Sequence, residues 1–456
     1  INNQKVKKQI IKKANAMHWV PPHLKEGRFK NIVENAPDWN VSRNRYWASP
    51  LPVWKCLKCA EKIFIGSLSD LKAKTKKSNN KYFVMRHGEA ESNVKSNLHG
   101  VVSSLVENID HLTKNGEEQV QKTAKELKNK NIDLVFVSPF MRTRETFNVL
   151  KESLGLKDEQ VIFDKRLGEL DAGDFEGKPW DEYKSMFKNA RERFLNPIHG
   201  GESLLDVKKR VGNIFYEFEE KYQNKNILII SHGAPLWMLF SILNGYNVNE
   251  SISMTGGLFR HSEEVEKGVS GQFRLFANAE YRVVNFITIP HNSDYELDYH
   301  RPYIDNLKLI CHCQSEMKRV PEVLDSWFES GSMPFAQDHY PFENPDWQKN
   351  NFPAGFVAEY IAQTRTWFYY THVLSTVLFK HAPFDNVVTT GTLLASDGQK
   401  ISKSKKNYPD PWIFIDKYGV DALRIYLMTS PLMKGEDVNF SEKSGYVLLE
   451  MRNFNV

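Results

Sequence analysis

The chain has 456 residues and a mass of 52.9 kDa, which is too long for one hydrophobic core and indicates about three domains. With 41% hydrophobic and 26% charged residues, it is neither a disordered nor a fibrous chain. The net charge of +5 permits a nucleic-acid partner without requiring one, and no apolar run approaches the roughly 20 residues of a membrane helix. Because the sequence begins at Ile1 without a signal-like apolar stretch, we expect a cytoplasmic protein with no membrane partner.

Along the chain, the composition first changes at about residue 70. Residues 71–81 hold five lysines and almost nothing apolar, which is typical of a solvated linker. Apolar segments then predict strands at 82–85, 132–137 and 227–230, and helical periodicity runs through 116–128. Strands alternating with helices predict a parallel α/β sheet, with the polar residues that follow each strand at its ligand-binding edge. A third α/β stretch runs from 353 to about 430, and helical sequence closes the chain.

Two cysteine pairs, Cys56-x-x-Cys59 and Cys311-x-Cys313, hold all four cysteines of the chain. Four thiolates satisfy tetrahedral zinc and leave no open position, so the predicted site is structural. The alternative is that these are four unrelated buried cysteines. The 251 residues from 60 to 310 separate the pairs, so one ion can bind both only if the intervening chain leaves and returns at nearly the same point. This spacing is typical of an inserted domain.

The segment between the cysteine pairs contains residues suited to phosphoryl transfer. A neutral histidine can accept the phosphoryl group, guanidinium groups can hold its oxygens, and a protonated carboxyl group can supply a proton to the leaving oxygen. The candidates are Arg86, His87, Asn93, Arg142, Glu169 and His232.

In this order, and with the G-D-F-E-G stretch at 173–177, these residues resemble the histidine phosphatase (phosphoglycerate-mutase-like) superfamily over about 80–288. The resemblance implies that His87 is the phospho-accepting nucleophile and Glu169 the acid. It also implies a phosphate pocket made of Arg86, Arg142 and His232 with Asn93 beside it, and an unidentified phosphomonoester as substrate.

Outside this segment, Lys400-Ile401-Ser402-Lys403-Ser404 follows a glycine-bearing loop, and such a loop can bind a triphosphate through its lysines. Together with 39–54, 320–332 and 359–368, it resembles class I isoleucyl-tRNA synthetase over about 1–70 and 290–456. By this resemblance Lys400 and Lys403 bind ATP phosphates. Glu359 and Gln363 lie near the aminoacyl-adenylate, although Ala362 stands where the family usually has aspartate. Trp327 and Trp367 wall the pocket for the aliphatic side chain.

The same resemblance implies isoleucine, ATP with Mg²⁺ and an isoleucine-accepting tRNA as partners, and it matches the cysteine pairs to a zinc module of the family. No H-x-G-H signature occurs in the sequence. We therefore expect this signature and a threonine-rich editing domain upstream of Ile1, which makes the chain a middle fragment. Valyl- and leucyl-specific relatives remain possible by architecture, and Gln363-Thr364-Arg365 with Trp367-Phe368 favours isoleucine.

The predicted fold class is α/β, with a partial Rossmann-type class I catalytic domain and a zinc module interrupted by a three-layer α/β phosphatase domain. The predicted domains are 1–48, returning from the editing domain into a catalytic-domain strand; 49–74 and 291–322, the two parts of the zinc module; 75–290, the insertion; 323–430, the second half of the catalytic domain; and 431–456, the start of a helical stem-contact and anticodon-binding region. Two alternatives remain open. Either the phosphatase is the only competent activity, or the insertion is a non-catalytic docking module for tRNA or a protein.

Overall fold

The computed structural model describes residues 1–94, 110–254, 275–402, 404–405, 407 and 410–440. The chain forms two compact units. The first unit contains residues 1–51 and 322–456, and the second contains residues 52–321. Residues 441–456, which fall in the predicted helical region, lie outside the described residues, as does Lys403.

The strands, in chain order, are β1 (His18–Val20), β2 (Ser42–Arg43), β3 (Val53–Cys56), β4 (Lys62–Phe64), β5 (Lys81–Arg86), β6 (Leu134–Val137), β7 (Val161–Phe163), β8 (Asn226–Ser231), β9 (Tyr281–Val284), β10 (Leu309–Ile310), β11 (Glu316–Arg319), β12 (Val323–Leu324), β13 (Ala354–Tyr360), β14 (Phe384–Thr390), β15 (Leu393–Leu394) and β16 (Val438–Asn439). The α-helices are α1 (Asn3–Asn15), α2 (Lys30–Asn35), α3 (Leu68–Lys74), α4 (Glu91–Val94), α5 (Lys114–Leu127), α6 (Met141–Leu154), α7 (Trp180–Ser185), α8 (Ala190–Leu195), α9 (Leu204–Lys221), α10 (Gly233–Asn244), α11 (Val248–Ser253), α12 (Ser326–Ala336), α13 (Trp347–Asn351), α14 (Trp367–Phe379), α15 (Pro411–Tyr418) and α16 (Val420–Thr429). Within the described residues, no helix is long and apolar enough to cross a membrane.

The second unit contains a five-stranded sheet in the order β7-β6-β8-β5-β9. Its central strands are apolar on both faces, as expected of a parallel sheet covered by helices on both sides. Ile227 and Ile229 of β8 pack with α9 and α10, whereas Leu228 and Ile230 pack with α5 and α6. This arrangement confirms the predicted three-layer α/β fold and its three strands. The edge strand β9, which pairs antiparallel with β5, was not predicted.

The start of helix α5 lies directly against the backbone that follows β5. Thr113 caps the helix by accepting a hydrogen bond from the Gly116 amide. A Cβ atom added at Gly116 would lie 2.0 Å from the Glu89 carbonyl oxygen, and one added at Gly88 would lie 2.7 Å from the Gly116 carbonyl oxygen. Only glycine fits this approach, so the two glycines fix the chain just after His87 against α5.

The second unit also contains a four-stranded antiparallel sheet in the order β10-β11-β3-β4. The two chain segments that connect it to the five-stranded sheet lie side by side, because the Lys76 amide donates to the Lys308 carbonyl and Thr75 bridges to Leu309. The solvated linker predicted at 71–81 is therefore wrong for residues 71–74. Residues up to Lys74 belong to α3, whose Leu71 is buried in the core of this small sheet.

The first unit is built on a parallel sheet in the order β1-β14-β13. Helices α1 and α14 pack on it through a core that includes Ile10, Trp19, Val373 and Val387. Two small two-stranded sheets, β12-β2 and β15-β16, complete the described part of this unit. Polar residues that follow β13 and β14 therefore lie at one edge of the sheet.

Candidate functional site

The predicted phosphatase residues come from neighbouring parallel strands of the five-stranded sheet. His87 follows β5 and His232 follows β8, and the His87 amide donates to the Ser231 carbonyl at 3.1 Å. Ser138 follows β6, and its amide donates to the Ile230 carbonyl at 3.0 Å. The three strands end at the same level, so the two imidazole rings lie with centroids 5.2 Å apart. Both histidines are buried.

The hydrogen bonding of His87 determines which of its nitrogen atoms can react. Nδ1 lies 2.7 Å from the Gly88 carbonyl oxygen, and a carbonyl can only accept, so Nδ1 carries the proton. Burial, together with the charges of Arg142 and Arg86, holds the pKa of His87 well below its usual value. The ring is therefore neutral with the lone pair on Nε2, to which no described residue hydrogen-bonds. This is the protonation state that a nucleophile requires.

His232 has the opposite tautomer. Arg142 Nε donates to His232 Nδ1 at 3.2 Å, so the ring proton lies on Nε2, which donates to Ser138 Oγ at 2.7 Å. Burial and the Arg142 charge also hold the pKa of His232 well below its usual value. The resemblance implied that His232 belongs to the phosphate pocket. With its pKa lowered in this way, the His232 ring is neutral near neutral pH, and its Nδ1 accepts a hydrogen bond from the Arg142 guanidinium.

Arg86 supplies a buried cationic group with an unsatisfied donor. Its Nη1 donates to the Phe276 carbonyl at 2.9 Å, whereas its buried Nε has no hydrogen-bond partner among the described residues. Burial lowers the pKa of Arg86, and the nearby charge of Glu169 opposes this effect. A buried N–H donor without a partner is costly, and an anion at this position would satisfy it.

Glu169 lies at the N-terminus of α10. Its Oε2 accepts a hydrogen bond from the Gly233 amide at 3.1 Å, and its Oε1 accepts from the amides of Ala234 at 3.2 Å and Leu170 at 2.9 Å. The carboxylate is thus fixed by three backbone donors, and its Oε2 keeps a further lone pair that can hold a proton.

Asn93 lies in the last turn of α4, and its side-chain oxygen hydrogen-bonds to neighbouring chain segments. Its Oδ1 accepts from the Ala90 amide at 2.9 Å and from Asn278 Nδ2 at 3.4 Å. Hydrogen bonds or charge interactions link five of the predicted residues: Arg86, His87, Arg142, Glu169 and His232. The hydrogen bonds described for Asn93 join it to Ala90 and Asn278 and not to these five residues.

Sequence reasoning missed two residues of this site. Asp110 Oδ2 accepts from Arg142 Nη1 at 2.8 Å, and Ser138 binds His232 as described above. Asp110 precedes the Thr113 cap of α5, and Ser138 lies directly after a predicted strand. The position of Ser138 was a usable signal, because residues that follow parallel strands face the ligand edge.

The four cysteines meet at one end of the antiparallel sheet. Cys56 ends β3 and Cys311 follows β10, and all four sulfur atoms lie within 4.8 Å of one another. The Sγ–Sγ distances of 3.6 Å for Cys56–Cys313 and for Cys59–Cys311 are close to the edge of about 3.8 Å expected for tetrahedral Zn–S bonds of about 2.3 Å. Hydrogen bonding from the Ser315 amide lowers the pKa of Cys313 to about 6, whereas the pKa of Cys311 is raised, in part by its hydrogen bond to Glu61. The donor set therefore fits zinc.

The exposed His312 lies beside this cluster. Its Nδ1 hydrogen-bonds to Glu61, whose carboxylate also accepts from Cys311 Sγ at 3.0 Å. His312 and Glu61 thus form a second layer around the cysteines.

In the first unit, Trp327, Gln363 and Trp367 lie around the start of α14. Gln363 Oε1 accepts from the Trp367 amide at 3.1 Å, and Trp367 Nε1 donates to the Ser330 carbonyl at 3.0 Å. The Trp327 ring stacks on Tyr370 at 5.4 Å with an interplanar angle of 14°. The two tryptophans are each only partly buried.

Lys400 and Glu359 lie at the ligand edge of the parallel sheet of this unit. Glu359 is exposed near the end of β13, and the Lys400 ammonium lies 5.9 Å from the centre of the Tyr360 ring. Lys400 and Tyr360 line a cavity of about 510 Å³ together with Gly391 and Met433. The cavity is large enough for a nucleotide.

Family models match both parts of this arrangement. The model described as tRNA synthetases class I (I, L, M and V) matches residues 1–124 and 282–441. The model described as histidine phosphatase superfamily (branch 1) matches residues 82–258.

Curated relatives match a short part of the chain at high identity. The chain is 54% identical over 154 residues to the cytoplasmic isoleucine–tRNA ligase of Caenorhabditis elegans. This match covers 34% of this chain and 14% of the relative. It is 56% identical over 147 residues to the cytoplasmic isoleucine–tRNA ligase of Mus musculus, covering 32% of this chain and 12% of the relative. The matched segment is thus about one seventh of each relative.

Solved structures align with less than half of the chain. A mycobacterial glucosyl-3-phosphoglycerate phosphatase aligns with a TM-score of 0.35 and 22% identity, covering 44% of this chain and 88% of that structure. The alpha-ribazole phosphatase of Shigella flexneri aligns with a TM-score of 0.35 and 21% identity, covering 48% of this chain and 98% of that structure.

Proposed function

Because the chain belongs to the class I tRNA synthetases and carries a histidine phosphatase domain within that family's sequence, we propose that it combines two activities. The first is ATP-dependent activation of isoleucine and its transfer to tRNA, as part of an isoleucine–tRNA ligase. The second is hydrolysis of a phosphomonoester by residues 75–290. The observation that supports the second activity most is the buried, neutral His87, which interacts with the charge of Arg86, whose buried Nε lacks a hydrogen-bond partner among the described residues.

In the proposed phosphatase reaction, His87 Nε2 attacks the phosphorus atom and forms a phosphorus–nitrogen bond as the ester oxygen leaves. Arg86 and Arg142 hold the phosphoryl oxygens, whose negative charge offsets the burial of the two guanidinium groups. Glu169, protonated in the substrate complex, gives its proton to the leaving oxygen. A water molecule then attacks the phosphohistidine and transfers a proton to Glu169, which releases phosphate and restores both residues.

In the proposed synthetase reaction, Lys400 and Lys403 stabilise charge on the ATP phosphates while the isoleucine carboxylate attacks the α-phosphorus, with Mg²⁺ accompanying the ATP. The cavity beside Lys400 would receive the nucleotide. Trp327 and Trp367 would hold the isoleucine side chain, and Glu359 and Gln363 would lie near the aminoacyl-adenylate. Zinc on Cys56, Cys59, Cys311 and Cys313 would be structural and supply no chemistry.

The phosphatase proposal is tested by turnover of a panel of phosphomonoesters by the full chain. We expect release of phosphate from at least one ester, and loss of all turnover in His87→Ala. His300→Ala, which removes an exposed histidine of the same unit, should not change the rate. Glu169→Gln should slow alkyl phosphates much more than p-nitrophenyl phosphate, because only a poor leaving group needs the proton.

Two results would contradict the proposal. One is a folded chain without turnover of any ester, which would favour the docking-module alternative. The other is turnover that persists in His87→Ala, which would place the nucleophile elsewhere.

A further inference from the structure

A buried carboxylate, Asp110, connects the phosphate pocket to the segment after His87. Asp110 is 2% exposed. Its Oδ1 accepts from the Ser92 amide at 2.9 Å, and its Oδ2 accepts from Ser92 Oγ at 2.8 Å and from Arg142 Nη1 at 2.8 Å. Asp110 is therefore held by Ser92 on one side and holds Arg142 on the other.

The contacts of Arg142 fix the plane of its guanidinium group. Nε donates to His232 Nδ1, and Nη1 donates to Asp110 Oδ2. The two contacts bind different nitrogen atoms of one rigid planar fork, so the group cannot rotate about its Cδ–Nε bond without breaking one of them. Bidentate binding of phosphate depends on this orientation.

Charge favours the same arrangement. The side chain of Arg142 is 6% exposed and Arg86 lies in the same pocket, so two cations share a site with little access to water. Burial lowers the pKa of Arg142, and Asp110 opposes this effect more than any other group. Without Asp110, the buried guanidinium would lose the carboxylate that hydrogen-bonds to its Nη1 and that opposes its burial most strongly.

We propose that Asp110 is a positioning residue, which holds the Arg142 guanidinium in the orientation that binds the phosphoryl group. This inference rests on the proposed phosphatase function. Asp110 acts through Arg142 and does not itself contact the reacting atoms. The competing interpretation is that Asp110 only anchors Ser92 and helix α4.

The test compares Asp110→Asn with Ser92→Ala in the full chain. Asp110→Asn keeps the shape and removes the charge, and we expect kcat/KM to fall about 100-fold because the phosphate cradle is displaced. Binding of inorganic phosphate, measured by calorimetry, should weaken in the same variant. Ser92→Ala keeps the backbone hydrogen bond to Oδ1 and should change kcat/KM less than about tenfold, since it removes one neutral hydroxyl donor.

A double-mutant cycle separates positioning from a merely structural role. In Arg142→Ala, adding Asp110→Asn should cause no further loss of kcat/KM, because the group that Asp110 orients is already gone. If Asp110 only anchors Ser92, the two losses multiply and the inference is overturned. Asp110→Asn with unchanged kcat/KM and unchanged phosphate binding overturns it as well.

A second variant covers the case in which Asp110→Asn does not fold. Arg142→Lys leaves Asp110 paired with a cation but removes the planar guanidinium fork. This variant should lose phosphate binding, and unchanged binding would overturn the inference.

The proposed function and the inference can fail separately. A wild-type chain that binds phosphate without turning over any ester would refute the proposed function alone. In that case the inference is still tested by measuring how tightly the Asp110→Asn chain binds inorganic phosphate. Weaker binding than in the wild type supports the inference, and unchanged binding overturns it.

Discussion

At the residue scale, the proposed phosphatase reaction depends on the protonation of two buried imidazole rings. His87 and His232 share a pocket with Arg86 and Arg142, and both have a pKa well below the usual value because of burial and these cations. A neutral His87 could therefore act as the proposed nucleophile without a base to deprotonate it. A bound phosphate dianion would raise the pKa of nearby groups, because its negative charge favours their protonated forms.

We predict that His87 remains neutral at a pH of about 6.5, where an ordinary histidine is half protonated. In an NMR titration of ring resonances, His87 and His232 should show no step at or above this pH. His111 is a matched control, because its hydrogen bond to Glu145 raises its pKa and it should titrate above the usual value. A His87 midpoint at or above about 6.5 would contradict this account.

The sequence predicted which residues lie at the ligand edge of the sheet when they directly follow an apolar strand. It did not predict contacts between residues that are far apart in the chain. Arg86, His87 and His232 follow strands, so their position at one sheet edge could be predicted from apolar runs. Asp110 could not be predicted, since it lies outside any helix or strand and its partner Arg142 is 32 positions away in α6. The neutral state of His232 also depends on tertiary burial, which no local pattern records.

At the element scale, the contact between α5 and the chain after β5 determines where His87 lies. We predict that Gly116→Ala destabilises the second unit by about 1–3 kcal/mol, because its methyl group would overlap the Glu89 carbonyl. To avoid this overlap, the chain that follows His87 would have to move away from α5, which should lower phosphatase kcat/KM. Gly155→Ala is the control, because nothing lies near its Cβ position and only its positive φ of 68° opposes the change. Gly155→Ala should lose stability without losing activity; equal activity in both variants would contradict the role of this contact.

Helix α14 carries a buried histidine that links stability of the first unit to pH. His372 Nε2 donates to the Ile10 carbonyl of α1 at 2.9 Å, and burial lowers the pKa of His372 to about 4. Because the folded pKa is below the unfolded value of about 6.5, the unfolded state binds more protons in this range. Stability should therefore fall by up to about 3 kcal/mol as the pH drops from about 6.5 to about 4.

Hydrogen exchange measured on α14 at several pH values tests this prediction. Protection of α14 should fall with acidification, and His372→Gln should reduce the pH dependence. His18→Gln, at an exposed histidine of β1, should leave it unchanged. Equal pH dependence in the wild type and in His372→Gln would show that another group is responsible.

Elements with strong apolar patterns were predicted well, and elements defined by long-range pairing were not. Strands β5, β6 and β8 are buried on both faces and therefore appear as apolar runs. Helix α3 has a lysine-rich sequence whose helical state depends on one buried side chain, Leu71. Edge strand β9 has an exposed Val283 and a pairing partner about 200 residues earlier in the chain, Phe83.

At the scale of the whole molecule, the cysteine spacing predicted that the ends of a long segment lie together, and the structure places β3 beside β11 and Lys76 beside Lys308. The boundaries of the individual domains remain proposals. The change of composition near residue 70 falls close to the point where the chain passes from the small sheet to the larger one, but residues 71–74 are helical and not a solvated linker.

We predict one zinc ion per chain, bound by the four cysteines. Removing it with a chelator, or replacing Cys311 with alanine, should increase hydrogen exchange in β3, β4, β10 and β11 because the thiolates then lose their common ligand. Strands β5 and β8 should remain protected, since their core is formed by separate residues. Metal analysis that finds no zinc, with all four thiols reactive, would contradict this prediction.

The central claim is that the inserted domain is a working phosphatase that uses His87. Its most direct test is to mix the full chain with a phosphomonoester that it hydrolyses, stop the reaction in alkali within the first turnover, and locate the phosphoryl group by mass spectrometry. The account predicts an acid-labile phosphohistidine at His87, which is absent from His87→Ala. Turnover without a phosphorylated His87, or a phosphoryl group on another residue, would contradict it.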